Sequence, residues 1–210
     1  MKQGKLIILE GLDGCGKDTQ ADILVQKHRA KKCRLPDYTV FWGQEIYNHI
    51  HKTKKQWITE EEFQMLMAQN YIYTLREKIM PAIKEWKNIV LTRFTPSMRA
   101  YSRAFSDNYG FFQKIAEGIE EIFHDAIDDI TVFYLKIPLE KSLQRIEERD
   151  RSGDQAKVEV FENREVLEKV FIGYEVSEWI NYIIDGTLWI YEVQDKILEL
   201  AKLSQPKKYQ

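Results

Sequence analysis

The chain is short of the residues that staple small folds together. It has two cysteines, Cys15 and Cys33, and four histidines in 210 residues. Two cysteines make no disulfide framework. Neither stands at metal-ligand spacing from a histidine, and His49 and His51, two positions apart, face different sides of a helix. The expectation is reduced thiols in a cytoplasmic protein. Long apolar runs are missing: none nears the roughly 18 residues of a membrane span. The opening MKQGKLIILEGLDG lacks the layout of a signal peptide. A charge excess is missing too. Lys and Arg number 31 against 33 Asp and Glu, a net charge of −2, which argues against a general nucleic-acid coat. What is present suits one globular domain: 44% hydrophobic and 30% charged residues. A single domain over 1–210 is expected, with small molecules as partners and neither nucleic acid nor membrane.

Short apolar runs alternate with amphipathic stretches. Lys5–Glu10, a piece of Lys31–Pro36, Asn88–Thr92, Thr131–Ile137 and Trp179–Ile184 read as strands. Between them, Thr19–Arg29, Trp42–His51, Ser97–Phe105, Phe112–Ala126, Leu139–Arg149, Val160–Tyr174 and Glu192–Lys202 read as helices. Thr59 with Glu62 three residues on is a capping-box signal opening a long helix to about Met80, with Pro81 as a kink or a new start. This alternation predicts an α/β fold with a parallel sheet covered on both faces. Arg149–Lys157, charged and without large apolar residues, reads as a mobile loop.

Residues 11–19, GLDGCGKDT, follow the first strand and precede the first helix. The skeleton G-x4-G-K is that of a phosphate-binding loop. Gly11, Gly14 and Gly16 permit backbone conformations closed to other residues, so amides of the loop, Cys15 included, converge on phosphate oxygens. The helix N-terminus adds positive potential, and Lys17 places an ammonium on the outer phosphates. The pattern asks for a hydroxyl directly after the lysine, as a ligand of Mg²⁺; here Asp18 stands there and Thr19 follows. A carboxylate is also a hard ligand for Mg²⁺, so Asp18 and Thr19 are the candidate metal residues.

LEGLDGCGKDTQ resembles the phosphate loop of the thymidylate kinase family. Further segments follow in the family's order: Ile79-Met80-Pro81-Ala82-Ile83, then Thr92-Arg93-Phe94-x-x-Ser97-x-x-Ala100-Tyr101, then Arg145, Arg149 and Arg151. Glu159-Val160-Phe161-Glu162 with Tyr174, Ile184-Asp185-Gly186 and Ile190-x-Glu192-Val193 complete the likeness. It implies a P-loop NTPase of three layers, a five-stranded parallel sheet in order 2-3-1-4-5 and a short lid near 148–158. It implies a nucleoside monophosphate kinase with ATP as co-substrate and Mg²⁺ as cofactor, acting most naturally on dTMP, in the form of a homodimer through helices such as 62–80 and 111–126. By the same resemblance, Arg93 holds the acceptor monophosphate and Asp13 sits near the acceptor sugar's 3′ end. Tyr101 packs against the sugar, Ser97 belongs to the acceptor segment, and Arg149 and Arg151 close over the transferring group. Gly14 stands where some members carry an arginine.

Two departures keep alternatives open. Thr92 stands where the family has an aspartate, which shifts that burden to Asp13, Asp18 or Glu10. In the base pocket, Met67 and Tyr71 occupy the places of the family's phenylalanine and arginine, one turn apart on one face, with Met98 and Ser102 as further base-contact candidates. A kinase for another deoxynucleoside monophosphate, a deoxynucleoside kinase and a catalytically weak nucleotide-binding protein are therefore the competing readings. A GTPase switch is not: no N-K-x-D guanine motif is present.

Overall fold

The computed structural model describes residues 4–51, 58–106, 108–151 and 164–203. Five parallel strands, β1 (Leu6–Glu10), β2 (Lys31–Arg34), β3 (Ile89–Thr92), β4 (Ile130–Lys136) and β5 (Tyr182–Asp185), form one sheet in the order β2-β3-β1-β4-β5. This is the expected topology. The central strand β1 is buried along its whole length. Its side chains alternate between two cores, as a pleated strand requires. Leu6 and Ile8 join Ile89, Leu91 and Phe123 on one face, whereas Ile7 and Leu9 join Val90, Leu24 and Ile197 on the other. Each such side chain contributes about 1.5–3 kcal/mol of burial.

Helices α1 (Lys17–His28) and α9 (Ile190–Leu200) supply the second core. The first core is covered by α2 (Gly43–Ile50), α3 (Glu60–Thr74), α4 (Met80–Lys84) and α6 (Tyr109–Ala126), with α5 (Thr95–Phe105) reaching it through Met98. A third cluster brings Leu12 and Tyr134 together with Ala100 of α5, Ile146 of α7 (Leu139–Arg151) and Val170 and Tyr174 of α8 (Arg164–Glu175). Here α5 and α8 approach so closely that a side chain at Gly173 would lie 2.7 Å from the Ala100 Cα.

Three local expectations are corrected. The helix opened by Thr59 does carry its capping box, with Glu62 N–H donating to Thr59 Oγ1 (3.2 Å) and Thr59 N–H to Glu62 Oε2 (2.7 Å). It does not run on regularly to 80: a π-helical turn, Leu75–Ile79, intervenes before α4. Pro81 has no N–H to donate and crowds the preceding turn, which the wider turn accommodates. At its end α7 extends two residues past Arg149, so 148–151 of the expected lid are helical. Gln144 bonds Glu148 one turn on, and Ile146 is anchored in the third cluster. Residues 152–158 of that lid lie outside the described residues. The last strand starts at Tyr182 instead of Trp179. Trp179 packs on Phe94, ring centroids 5.3 Å apart, and Asn181 Oδ1 accepts the Val132 N–H (2.7 Å) at the head of the ladder.

Candidate active site

The carboxyl ends of β1, β2 and β3 point to one edge of the sheet, the place where open parallel sheets bind ligands. The connection from β1 to α1 carries Gly11, Gly14 and Gly16, all at positive φ (139°, 75° and 98°). Gly14 is required twice over. Its backbone is left-handed, and a Cβ there would lie 3.1 Å from both the Arg145 Cβ and the Ser142 carbonyl oxygen. Any side chain at this position would press on α7. Ser142 Oγ donates to the Asp13 carbonyl (2.6 Å), and Arg145 donates to the carbonyls of Gly14 (3.0 Å) and Gly186 (3.4 Å). Arg149 follows Ser142, Arg145 and Ile146 on the same helical face, the face that meets the loop. Arg151 ends α7, and its side chain lies outside the described residues.

Lys17 is buried and folds back over the loop, donating to the carbonyls of Gly11 (2.7 Å) and Leu12 (2.8 Å). Among the described residues no side chain caps α1, so the amides of its first turn are left for an anion. Cys15 is buried beneath them. Burial pushes its thiol above the ordinary range, the mark of an inert, space-filling cysteine. Asp18 and Thr19 lie exposed on the first turn. The Asp18 carboxylate pairs with Lys32 at 2.9 Å. Partial burial raises its pKa, and the Lys32 hydrogen bond and charge outweigh this, leaving it lowered.

Across the loop, Asp13, Arg93 and Tyr101 converge. Asp13 accepts from Arg93 in an ion pair whose side chains are 11% and 12% exposed, accepts from the Tyr101 hydroxyl (3.1 Å), and lies 3.9 Å from Lys17 Nζ. Burial pushes the Asp13 carboxyl up; Arg93, then Lys17, then Tyr101 pull it further down, and the net position is below the usual carboxylate range. The Arg93 guanidinium also lies over the Tyr101 ring at 5.4 Å. Arg93 itself has φ 68°, a left-handed conformation costing about 1–3 kcal/mol in a non-glycine residue. Its N–H bonds the Leu9 carbonyl at 3.1 Å. Such strain at a strand end is found where function needs a side chain aimed off the regular path.

One residue escaped the sequence reading. Arg34 ends β2 in register with Thr92 of β3, and its charge lowers the pKa of both Asp13 and Asp18. The signal was its place at the carboxyl end of a strand. Arg34 also lines a cavity of about 340 Å³ along the sheet edge, with Lys31, Lys32 and Lys78. Lysines along an outer strand also guard it against edge-to-edge pairing.

The other expected acceptor residues are buried beside this cluster, and the Arg93 charge reaches Tyr71. Met67, Tyr71 and Ser97 are 8%, 1% and 4% exposed. The Ser97 hydroxyl is spent on Glu10 and Tyr174. Tyr71 stacks on Phe94 (6.0 Å, 17°), and burial, then the Glu10 charge, push its phenol far up against the opposing pull of Arg93. Met67 and Met98 belong to the first core. Ser102 and Thr92 are buried, and neither hydroxyl has a hydrogen-bond partner among the described residues. Glu10 is wholly engaged by protein donors. Among the described residues no group of three or more His, Cys, Asp or Glu forms a metal cage, and no helix is long and apolar enough to cross a membrane.

Comparison with known proteins gives a consistent result. The sequence profile of the thymidylate kinase family matches residues 9–197. A thymidylate kinase of Thermoanaerobacter sp. (strain X514) is 28% identical over 207 residues, covering 95% of this chain and 98% of its own. That of Methylococcus capsulatus is 31% identical over 159 residues, 71% of each chain. Among solved structures, a thymidylate kinase from Candida albicans superposes with a TM-score of 0.70 at 22% identity, over 95% of this chain and 92% of its own.

Proposed function

The chain belongs to the thymidylate kinase family of ATP-dependent phosphotransferases, and from this premise we propose that it transfers the γ-phosphoryl group of ATP to dTMP. The observation that supports this most directly is the meeting of two phosphate-ready cationic centres. Lys17 in the glycine-bracketed loop and Arg93 at the end of β3 both contact or approach one carboxylate, Asp13. Phosphoryl transfer asks the protein for positioning and charge neutralisation, with little covalent chemistry.

In this reading Lys17 leaves the Gly11 and Leu12 carbonyls for the donor's outer phosphates, which the loop amides hold. Arg93 takes the acceptor monophosphate, with Arg34 at the end of the neighbouring strand adding positive charge. Asp13 orients Arg93 and stands by the sugar, and Tyr101 packs against the sugar and disfavours a 2′-hydroxyl. Arg149, on the loop-facing side of α7, adds charge to the transferring group, with Arg151 following it. Mg²⁺ is bound in such sites by one or two carboxylates together with substrate phosphates and water. The exposed oxygens of Asp18 and Thr19 suit it chemically, although Asp18 must first release Lys32. When bound, the ion supplies charge neutralisation on the phosphates. Exposed Met65 on α3 and Phe111 and Ile122 on α6 favour a homodimer through these helices.

The test is a coupled ADP-release assay over dTMP, dUMP, dGMP, dAMP, dCMP and thymidine, with and without Mg²⁺. dTMP as the best acceptor, with turnover lost on chelation, is expected. Thymidine above dTMP, or no turnover with any acceptor, overturns the reading. Asp18→Ala is expected to abolish Mg²⁺-dependent turnover; activity within twofold of the parent removes Asp18 from the metal site.

A further inference from the structure

Glu10, the last residue of β1, has no exposed surface. One of its carboxylate oxygens accepts the N–H groups of Phe94 (2.5 Å) and Ser97 (3.2 Å). The other accepts from the Ser97 hydroxyl and from the Tyr174 hydroxyl (2.9 Å). Tyr174 Oη also lies 2.7 Å from Ser97 Oγ and 3.3 Å from the Gly11 carbonyl oxygen. A buried charge is tolerated when hydrogen bonds satisfy it, and here backbone amides and hydroxyls do so.

These partners come from separate parts of the site. Phe94 follows Arg93 directly and Ser97 lies three residues further, in the first turn of α5. Gly11 opens the phosphate loop. Tyr174 comes from α8, 164 positions from Glu10 in the chain. Arg93 is held left-handed immediately before Phe94, whose amide Glu10 grips together with that of Ser97, four positions after Arg93. The Phe94 amide ties the Arg93 turn to Glu10, beside the Arg93 N–H bond to the Leu9 carbonyl (3.1 Å). The stack of Tyr174 on Tyr134, centroids 5.0 Å apart and 12° from parallel, fixes the phenol that closes the network.

We propose that Glu10 and Tyr174 are positioning residues that lock the Arg93 turn to the phosphate loop and make the placement of Arg93 depend on the seating of α8. The functional consequence rests on the reading of Arg93 as the ligand of the acceptor phosphate. Neither residue touches substrate; both act through Arg93.

Tyr174→Phe tests this in the full chain, because it keeps the ring stack and removes only the hydroxyl. The Michaelis constant for dTMP is expected to rise about tenfold, the cost of a weakened charge-assisted contact, with that for ATP within twofold. Hydrogen exchange at the Phe94 and Ser97 amides is expected to quicken in the free protein, well below its melting temperature. Glu10→Gln is expected to act in the same direction; if it fails to fold, Tyr174→Phe carries the test alone. Tyr134→Phe is the control. It deletes a hydroxyl from the same stack that sits beside Glu175 instead, and both readouts stay at the parent level. Unchanged exchange at the two amides in Tyr174→Phe overturns the proposal, as does an equal rise in the constants for ATP and dTMP. A parent protein inactive toward dTMP sinks the kinase reading instead, and the exchange measurement still decides whether the lock exists.

Discussion

Replacing Arg93 by lysine separates charge from shape. Arg93 donates to Asp13 through one guanidinium nitrogen and to the Tyr101 hydroxyl (3.5 Å) through another, lies 5.4 Å above the Tyr101 ring, and is only 11% exposed, so solvent screens these contacts little. Lysine keeps the positive charge and the strained backbone but loses the planar fork. The lost cation–π contact is worth about 0.5–1 kcal/mol. Weaker pairing with Asp13 adds a comparable amount, for a total near 1–2 kcal/mol. At about 2–4 °C per kcal/mol for a chain of this size, the melting temperature is expected to fall by roughly 2–8 °C. Binding suffers more. One charge-assisted hydrogen bond to the acceptor phosphate is worth about 1.5–3 kcal/mol, which at about 1.4 kcal/mol per decade is a factor of roughly 10–150. ADP release, followed at saturating ATP against varied dTMP, should therefore show the Michaelis constant for dTMP rising by that factor while that for ATP stays put. Calorimetric titration with dTMP checks that the loss is one of binding. An acceptor constant within twofold of the parent, or a parallel rise for ATP, refutes the assignment of Arg93 to the acceptor side.

Gly14→Ala places a Cβ on a left-handed backbone 3.1 Å from α7. A stability loss of about 2 kcal/mol is expected, together with a raised Michaelis constant for ATP; an unchanged melting temperature by scanning fluorimetry contradicts the packing argument. The Asp13 carboxyl is lowered, with burial opposing and Arg93 leading the pull downward. A depressed carboxylate contributes stability that is fully present above its unfolded value near 3.9. That contribution is lost as the pH falls through the folded value. The difference in melting temperature between the parent and Asp13→Asn is thus expected to stay flat from about pH 8 to 5 and to shrink only below about pH 4. A difference that already fades between pH 7 and 6 places the titration elsewhere.

Much of this molecule was legible before any coordinates, for a local reason. A strand buried on both faces needs an unbroken apolar run such as LIILE, and a loop that wraps phosphate needs glycines at positions of positive φ. A capped helix needs Thr59 and Glu62 three residues apart. Each of these demands is met within a few neighbouring residues. The family resemblance rested on the same kind of short segments, and the sheet order followed from it.

What the fold alone decided is which partner each polar side chain finds. Ser97, placed by its motif among acceptor residues, gives its hydroxyl to a carboxylate 87 positions away. Asp18 turns to Lys32 across the α1–β2 connection, and Tyr71 sinks against Phe94. Arg34 gains its meaning only when β2 lies beside β3. Spacing along the chain sets backbone conformation and the face a side chain occupies. The hydrogen-bond partner, and with it the division between groups that meet a ligand and groups that hold those in place, depends on distances between elements far apart in sequence, which exist only once the chain has packed.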